Sequence, residues 1–259
     1  MDCLGSAPGR LFCALHHDLC QGGKPLTASP YVAVVGGINV DISGTSDSKM
    51  ILGDSNPGRV QVTLGGVGRN IAENLIRLGM PCRMVTVLGD DLHAATIREH
   101  CRSISLDLTD CGVAPGEKSS TYLCINDVSG DVMTAIADMA GSERITPDFL
   151  ASRLDVLNQA AFVILDANIP AASAAFLADW CTAPLIADTV SIKKAERLSP
   201  CLWKLEAIKP NRPEAEMLTG VTIRGTDGVE DAGFIKTAAV CSTPFALVGL
   251  LLAAVLRPR

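Results

Sequence analysis

Between Arg59 and Leu88 the spacing of apolar residues changes twice, and this change constrains the fold of the 259-residue chain more than any other feature. Arg59 to Leu64 alternates, with Val60, Val62 and Leu64 on one face, the period of a half-exposed strand. The glycines Gly65, Gly66 and Gly68 follow, and from Asn70 the period becomes helical. Ile71, Leu75 and Leu78 form a stripe with Ala72 and Ile76, and Gly79 is placed to end the helix. Pro81 then leads into Met84-Val85-Thr86-Val87-Leu88, expected to be a buried strand. Such a unit is the building block of a parallel sheet covered by helices.

The same grammar recurs along the chain. Tyr31-Val32-Ala33-Val34-Val35, closed by Gly36-Gly37, predicts a buried strand. Later come a helix near Pro147 to Ala160, a strand Phe162 to Leu165 ending at Asp166, a helix Ala171 to Cys181, and a strand Pro184 to Ala187 ending at Asp188. Two alternating runs, Ser120 to Asn126 and Asp131 to Ala137, flank the turn Asp127-Val128-Ser129-Gly130 and predict a hairpin. It is expected to pair with the strand at 59 to 64. Polar residues gather just past strand C-termini, the edge at which open parallel sheets bind ligands. Asp41, Asp90, Asp166, Asn168, Asp188 and Asn211 are therefore expected in one crevice.

Composition narrows the function. The net charge of -6 leaves no basic surface for a nucleic-acid backbone. Only 4% of residues are aromatic, so the core must be aliphatic, as in sheets buried on both faces. Ten cysteines are scattered without C-x-x-C spacing and are expected to be reduced, in the cytoplasm. Cys13, His16, His17 and Cys20 put soft-metal ligands within eight residues, a zinc arrangement that nothing else in the sequence supports. Residues 1 to 30 are read as an irregular extension.

The glycine loop precedes a helix whose free N–H groups can hold an oxygen-rich ligand, with Arg69 and Asn70 as directional donors. A plain strand-to-helix turn would use the same glycines. A dinucleotide fingerprint fails, because Ile71 stands where its third glycine belongs. A P-loop is absent, since Gly116-Glu117-Lys118-Ser119 places Glu between Gly and Lys.

Read in order, Gly37-Ile38-Asn39-Val40-Asp41, Asp54-Ser55-Asn56-Pro57-Gly58 and Gly65-Gly66-Val67-Gly68-Arg69-Asn70 resemble the first signature of the PfkB (ribokinase-like) family of carbohydrate and nucleoside kinases. The resemblance continues through Gly89-Asp90-Asp91, Pro115-Gly116-Glu117 and Asp166-Ala167-Asn168 to Asn211-Arg212-Pro213-Glu214, similar to the N-x-x-E element of that family. It covers about residues 31 to 237, and within the family the second and third blocks look most like pseudouridine kinases.

The resemblance implies a three-layer α/β/α sandwich with a mostly parallel sheet, incomplete at its C-terminal end, and a small β lid with strands within 54–64 and 119–137. It implies ATP and Mg²⁺ as cofactors, a nucleoside as substrate, and transfer to the ribose 5′-hydroxyl. Asp41 would accept hydrogen bonds from ribose hydroxyls, since a carboxylate offers only acceptors and a diol offers donors. Asn39, Gly65, Gly66, Asn70 and Thr121 would complete the sugar site, and Asn168 would stand near the nucleoside. Asn211 and Glu214 would sit by the nucleotide phosphates, with Glu214 meeting magnesium through water. The lid would exclude water from the transferred phosphate, and a homodimer through it is an arrangement the resemblance allows.

One expected element is missing. The Gly-Ala-Gly-Asp block that in such kinases supplies the anion hole and the general base does not occur, and residues 238–259 form a divergent apolar tail ending Arg257-Pro258-Arg259. The sequence is accordingly read as a kinase domain cut short, weak or inactive in transfer, with a kinase of another sugar or nucleoside, or a non-catalytic nucleoside-binding or regulatory protein, as the alternatives.

Overall fold

The computed structural model describes residues 31–223; the extension with Cys13 and Cys20 and the apolar tail lie outside them. Five strands form a parallel sheet: β1 (Val32–Val35), β4 (Cys82–Val85), β9 (Phe162–Asp166), β10 (Leu185–Asp188) and β11 (Leu205–Lys209), in the order β11-β10-β9-β1-β4. The three inner strands β1, β9 and β10 are short and almost wholly apolar because both their faces are covered, while the edge strands β4 and β11 carry Arg83 and Glu206. Alternate residues enter separate cores. Ala33, Val35, Val163 and Leu165 pack on one face with Leu150, Leu157 and Leu177, while Val32, Val34, Met84 and Ile164 pack on the other with Ile71, Leu75 and Ile97. The result is the three-layer α/β/α sandwich expected from the resemblance.

The helices follow the apolar periods. Helix α1 (Val67–Arg77) buries Ile71, Ala72 and Leu75, and α2 (Leu92–Ser103) buries Ala94, Ile97 and Cys101. Helix α1 begins three residues before the expected Asn70, so Gly68 and Arg69 belong to its first turn. The single helix expected near Pro147 to Ala160 is two, Pro147–Ala151 and Leu154–Gln159. At the break the Arg153 guanidinium lies 3.7 Å from the Phe149 ring centroid and donates to the Asp110 carbonyl at 2.6 Å, which holds the chain in a turn. The strand expected over 84–88 is also divided. After Thr86, β5 (Val87–Leu88) leaves the large sheet and pairs with β6 (Gly112–Val113). Among the described residues no helix is long and apolar enough to cross a membrane.

A second sheet stands over one end of the first. It contains β2 (Asn39–Ser46), β3 (Gly58–Gly65), β7 (Thr121–Asn126) and β8 (Val132–Asp138), in the order β3-β2-β7-β8. The hairpin β7-β8 forms as expected, but its partner is β2 rather than β3. The reason is that β2 runs on from Ile42 to Ser46 and pairs with β3 along its whole length. Both of its edges are thereby used, β3 on one side and β7 on the other.

The centre of the large sheet has no slack. Leu165→Ala removes a side chain with no solvent exposure from β9, and we expect it to cost about 2–5 kcal/mol. Urea unfolding of the purified chain measures this.

Candidate active site

Where β1, β9 and β10 end, the chain must turn beneath the lid, and its polar residues meet there. A cavity of about 200 Å³ is lined by Asn39, Asp41, Gly66, Asn70 and Asn168, five of the seven substrate residues inferred from the sequence. Gly65 and Thr121 are not on its wall. Thr121 turns its hydroxyl to the Ser119 carbonyl at 3.2 Å. Gly65 lies beneath Asp41, and a Cβ there would stand 2.2 Å from Asp41 Oδ2. Glycine at this position makes room for the carboxylate.

Asp41 is half-buried on β2 and accepts a hydrogen bond from Asn39 Nδ2. Burial pushes its pKa up, while the Asn39 bond and the nearby Arg69 charge oppose the shift. The bond also orients the carboxylate and leaves Oδ2 without a hydrogen-bond donor among the described residues.

The helix after the glycine loop is less open than the sequence suggests. The Gly68 N–H donates to Asp166 Oδ2 at 2.7 Å and the Arg69 N–H to the Gly37 carbonyl at 3.2 Å. The Arg69 guanidinium turns inward, pairing with Glu73 and reaching the Leu64 carbonyl. Arg69 is therefore a structural tie and not a ligand donor. Asn70 alone of that pair faces the cavity.

Asp166 is neither a helix cap nor an exposed strand end. It is fully buried, with Oδ2 accepting from Gly37 N at 3.0 Å and Gly68 N at 2.7 Å, and Oδ1 from Asn168 N at 2.9 Å. Burial raises its pKa against these donors. Asp188 likewise is no cap. It accepts from Lys209 Nζ at 3.1 Å and from Val190 N at 2.8 Å, and Ser191 begins the following helix. Asp90, expected in the crevice, stands outside the cavity wall, beside Asp91. Asp90 accepts from Gly116 N at 2.9 Å, and Asp91 caps α2 while receiving the Ser119 hydroxyl at 2.7 Å. The Gly89-Asp90-Asp91 and Pro115-Gly116-Glu117 blocks thus form one latch.

Asn211 and Glu214 stand past β11, apart from the cavity walls. They form a capping box at the start of a helix, Arg212–Thr219. Glu214 Oε2 receives Asn211 N at 2.8 Å and the Thr189 hydroxyl, and Oε1 receives Asn211 Nδ2 at 2.8 Å. A carboxylate has about four lone-pair sites, so one on Oε1 of this buried side chain is left without a donor among the described residues.

The structure also brings to the cavity wall residues that the sequence did not assign to the site: Tyr122, Met139, Ser142, Val190 and Lys194. Tyr122 stands opposite Asp41 across β2 and β7, a juxtaposition that strand alternation does not reveal. Lys194 had a weak signal, its place shortly after a strand ending at Asp188. Its amine donates to Asn168 Oδ1.

Asp166→Asn is expected to set an NH₂ group against at least one backbone donor, destabilising the fold by about 1–3 kcal/mol for each donor left unsatisfied. Denaturant midpoints of the two proteins check this, and equal midpoints would remove Asp166 from its organising role.

The comparisons with known proteins agree with this geometry. The model of the pfkB family of carbohydrate kinases matches residues 29–242. The pseudouridine kinase of Escherichia coli (strain K12) is 34% identical over 200 residues, covering 77% of this chain and 64% of that protein. An uncharacterized sugar kinase of the same organism, YeiI, is 36% identical over 204 residues, covering 78% of this chain and 56% of that one. The chain thus spans less than two thirds of the length of both relatives. The solved structure of Arabidopsis thaliana ribokinase complexed with ribose and ATP shares the fold, with a TM-score of 0.70 at 22% identity over 80% of this chain and 68% of that one. With more than half of its residues under the family model, and with the sandwich, lid and polar crevice described above, the chain belongs to the pfkB family of carbohydrate kinases.

Proposed function

We infer that the site is built for ATP-dependent phosphorylation of the 5′-hydroxyl of a nucleoside ribose, with pseudouridine as the substrate. The observation that carries this reading is the convergence of Asp41, Asn39, Asn70 and Asn168 on one cavity beneath the lid. An acceptor-only carboxylate oriented by Asn39 suits the paired hydroxyls of a ribose. The choice of pseudouridine rests on the 34% identity to the E. coli enzyme of that name. Asn211 and Glu214 are the residues for the nucleotide and hydrated Mg²⁺, and the free lone pair on Glu214 fits contact through water. The family cofactors would supply the phosphoryl group and the charge that neutralises it.

The 259 residues contain no Gly-Ala-Gly-Asp block. By themselves they supply substrate recognition more fully than the transfer step, which favours non-catalytic nucleoside binding as the second reading. The six described cysteines are free thiols, which supports a reducing compartment such as the cytoplasm.

Calorimetry on the purified chain tests the function. We expect pseudouridine to bind, and Asp41→Asn to weaken it by about tenfold or more, the loss of a hydrogen bond to a charged acceptor. Binding of pseudouridine unaffected by Asp41→Asn would overturn the assignment. We expect phosphate transfer from ATP to lie well below the usual kinase range of about 1–100 per second.

The lid supports a homodimer. Val62, Leu123 and Ile136 are exposed in one row across its strands, in register with Ile42. Covering such a row is favourable. Sedimentation should show a dimer that Val62→Asp shifts to monomer, and a wild-type monomer at high concentration would exclude it.

A further inference from the structure

Among the described residues Lys194 is a cation without a counter-ion. Its amine has one polar partner among the described residues, the neutral Asn168 Oδ1, although it is half-buried on the cavity wall. The carboxylates around it are engaged elsewhere. Asp166 holds the three backbone N–H groups of Gly37, Gly68 and Asn168, and Glu143 is paired with Arg197 at 2.8 Å. Arg197 is committed as well, donating to the Asn168 carbonyl at 3.0 Å. Burial accordingly pushes the Lys194 pKa down, opposed by the Asp166 charge. An ammonium has three donors, and one is used, so two remain for a ligand.

Its place along the sheet edge indicates which ligand. The strand order β11-β10-β9-β1 sets the segments that leave these strands in the same sequence. Asn211 and Glu214 follow β11, Lys194 follows β10, Asn168 follows β9, and the Gly37 to Asp41 segment follows β1. On the proposed function, nucleotide phosphates lie at the first end and ribose hydroxyls at the last. A group in transit between them passes β10. An unpaired ammonium there suits phosphoryl oxygens better than a neutral base or sugar, because attraction between full charges strengthens as water is excluded.

We propose that Lys194 holds the phosphoryl group at the junction of the two subsites, contacting the γ-phosphate of the nucleotide before transfer and the 5′-phosphate of the product after it. This rests on the proposed function. Asn168 then acts as a positioning residue that fixes the amine through its carbonyl oxygen, explaining why a buried amide is spent on a lysine rather than on backbone.

The test is calorimetry of the full chain and its Lys194→Met, Lys194→Gln and Lys194→Arg variants, with pseudouridine, pseudouridine 5′-phosphate and ATP as separate titrants. We expect Met and Gln to weaken the 5′-phosphate by about tenfold or more, to leave pseudouridine within about twofold, and Arg to restore most of the loss. The ATP titration distinguishes the two sources of phosphate: weakening with ATP assigns contact before transfer, and weakening with the 5′-phosphate assigns contact after it. Equal weakening of pseudouridine and its 5′-phosphate, or unchanged binding of both phosphates, would overturn the role. A wild-type chain that binds none of the three overturns the parent function and this role together. Pseudouridine binding that depends on Asp41 while phosphate binding ignores Lys194 overturns this role alone. Melting curves establish that the variants fold, and Gln, which keeps a polar tip, serves if Met does not.

Discussion

The site depends on one buried carboxylate. Asp166 ends β9 in a position with no solvent exposure, and an ionised group is tolerated there only if donors converge on it. Three do, from the segment leaving β1, the first turn of α1 and the turn after β9. Those segments are far apart in the chain and each contributes to the cavity wall through Gly37, Val67 and Asn168. The same carboxylate explains the neighbouring glycine, since a Cβ on Gly36 would stand 2.6 Å from it. What looks in sequence like a strand end followed by a turn is the point at which the cavity-lining segments are brought to a common place.

A second tie carries that order into the lid. Arg69 lies on the buried side of α1, paired with Glu73 one turn on and reaching the Leu64 carbonyl at the end of β3. Burial opposes ionisation of Glu73, but the charges of Arg69 and Arg77 prevail and hold its carboxyl below the ordinary range. A buried pair of this kind gives little net stability after desolvation. Its consequence here is direction: the lid strand enters the helix at one angle, so Gly65 lies under Asp41 and the carboxylate faces the cavity. Glu73 also lies 3.6 Å from His100 of α2, which joins the lid anchor to the neighbouring helix.

Much of this architecture was legible from local rules, and the misses have physical causes. The runs at Val32–Val35 and Phe162–Asp166 could be read because both faces of a central parallel strand are apolar. The start of α1 was placed late because glycine is a poor helix former, and nothing local reveals that Asp166, 98 residues away, accepts the Gly68 N–H in the first turn. The partner of the hairpin was misjudged because alternation shows which residues share a face and is silent on which strand lies alongside. The cavity residues Asn39, Asp41, Asn70 and Asn168 emerged from their motif order, whereas Lys194 did not, since a lysine after a strand is ordinary until its charge is found to lack a partner among the described residues.

Asn211 and Glu214 show why a structural and a functional reading of the same residues need not compete. The resemblance assigns them to a nucleotide site, and in the structure they form a capping box at a helix start. Capping fixes the Glu214 carboxylate through Asn211 N, Asn211 Nδ2 and the Thr189 hydroxyl, and so removes its rotamer freedom in advance. A side chain held this way presents its remaining lone pair in one direction, where a flexible glutamate would have to be ordered when a ligand arrives. Magnesium binds readily through its retained waters and demands near-octahedral placement of their partners, so a preset acceptor suits it better than a mobile one. The bonds that make Glu214 a good helix residue are therefore the ones that would make it a good partner for a hydrated cation.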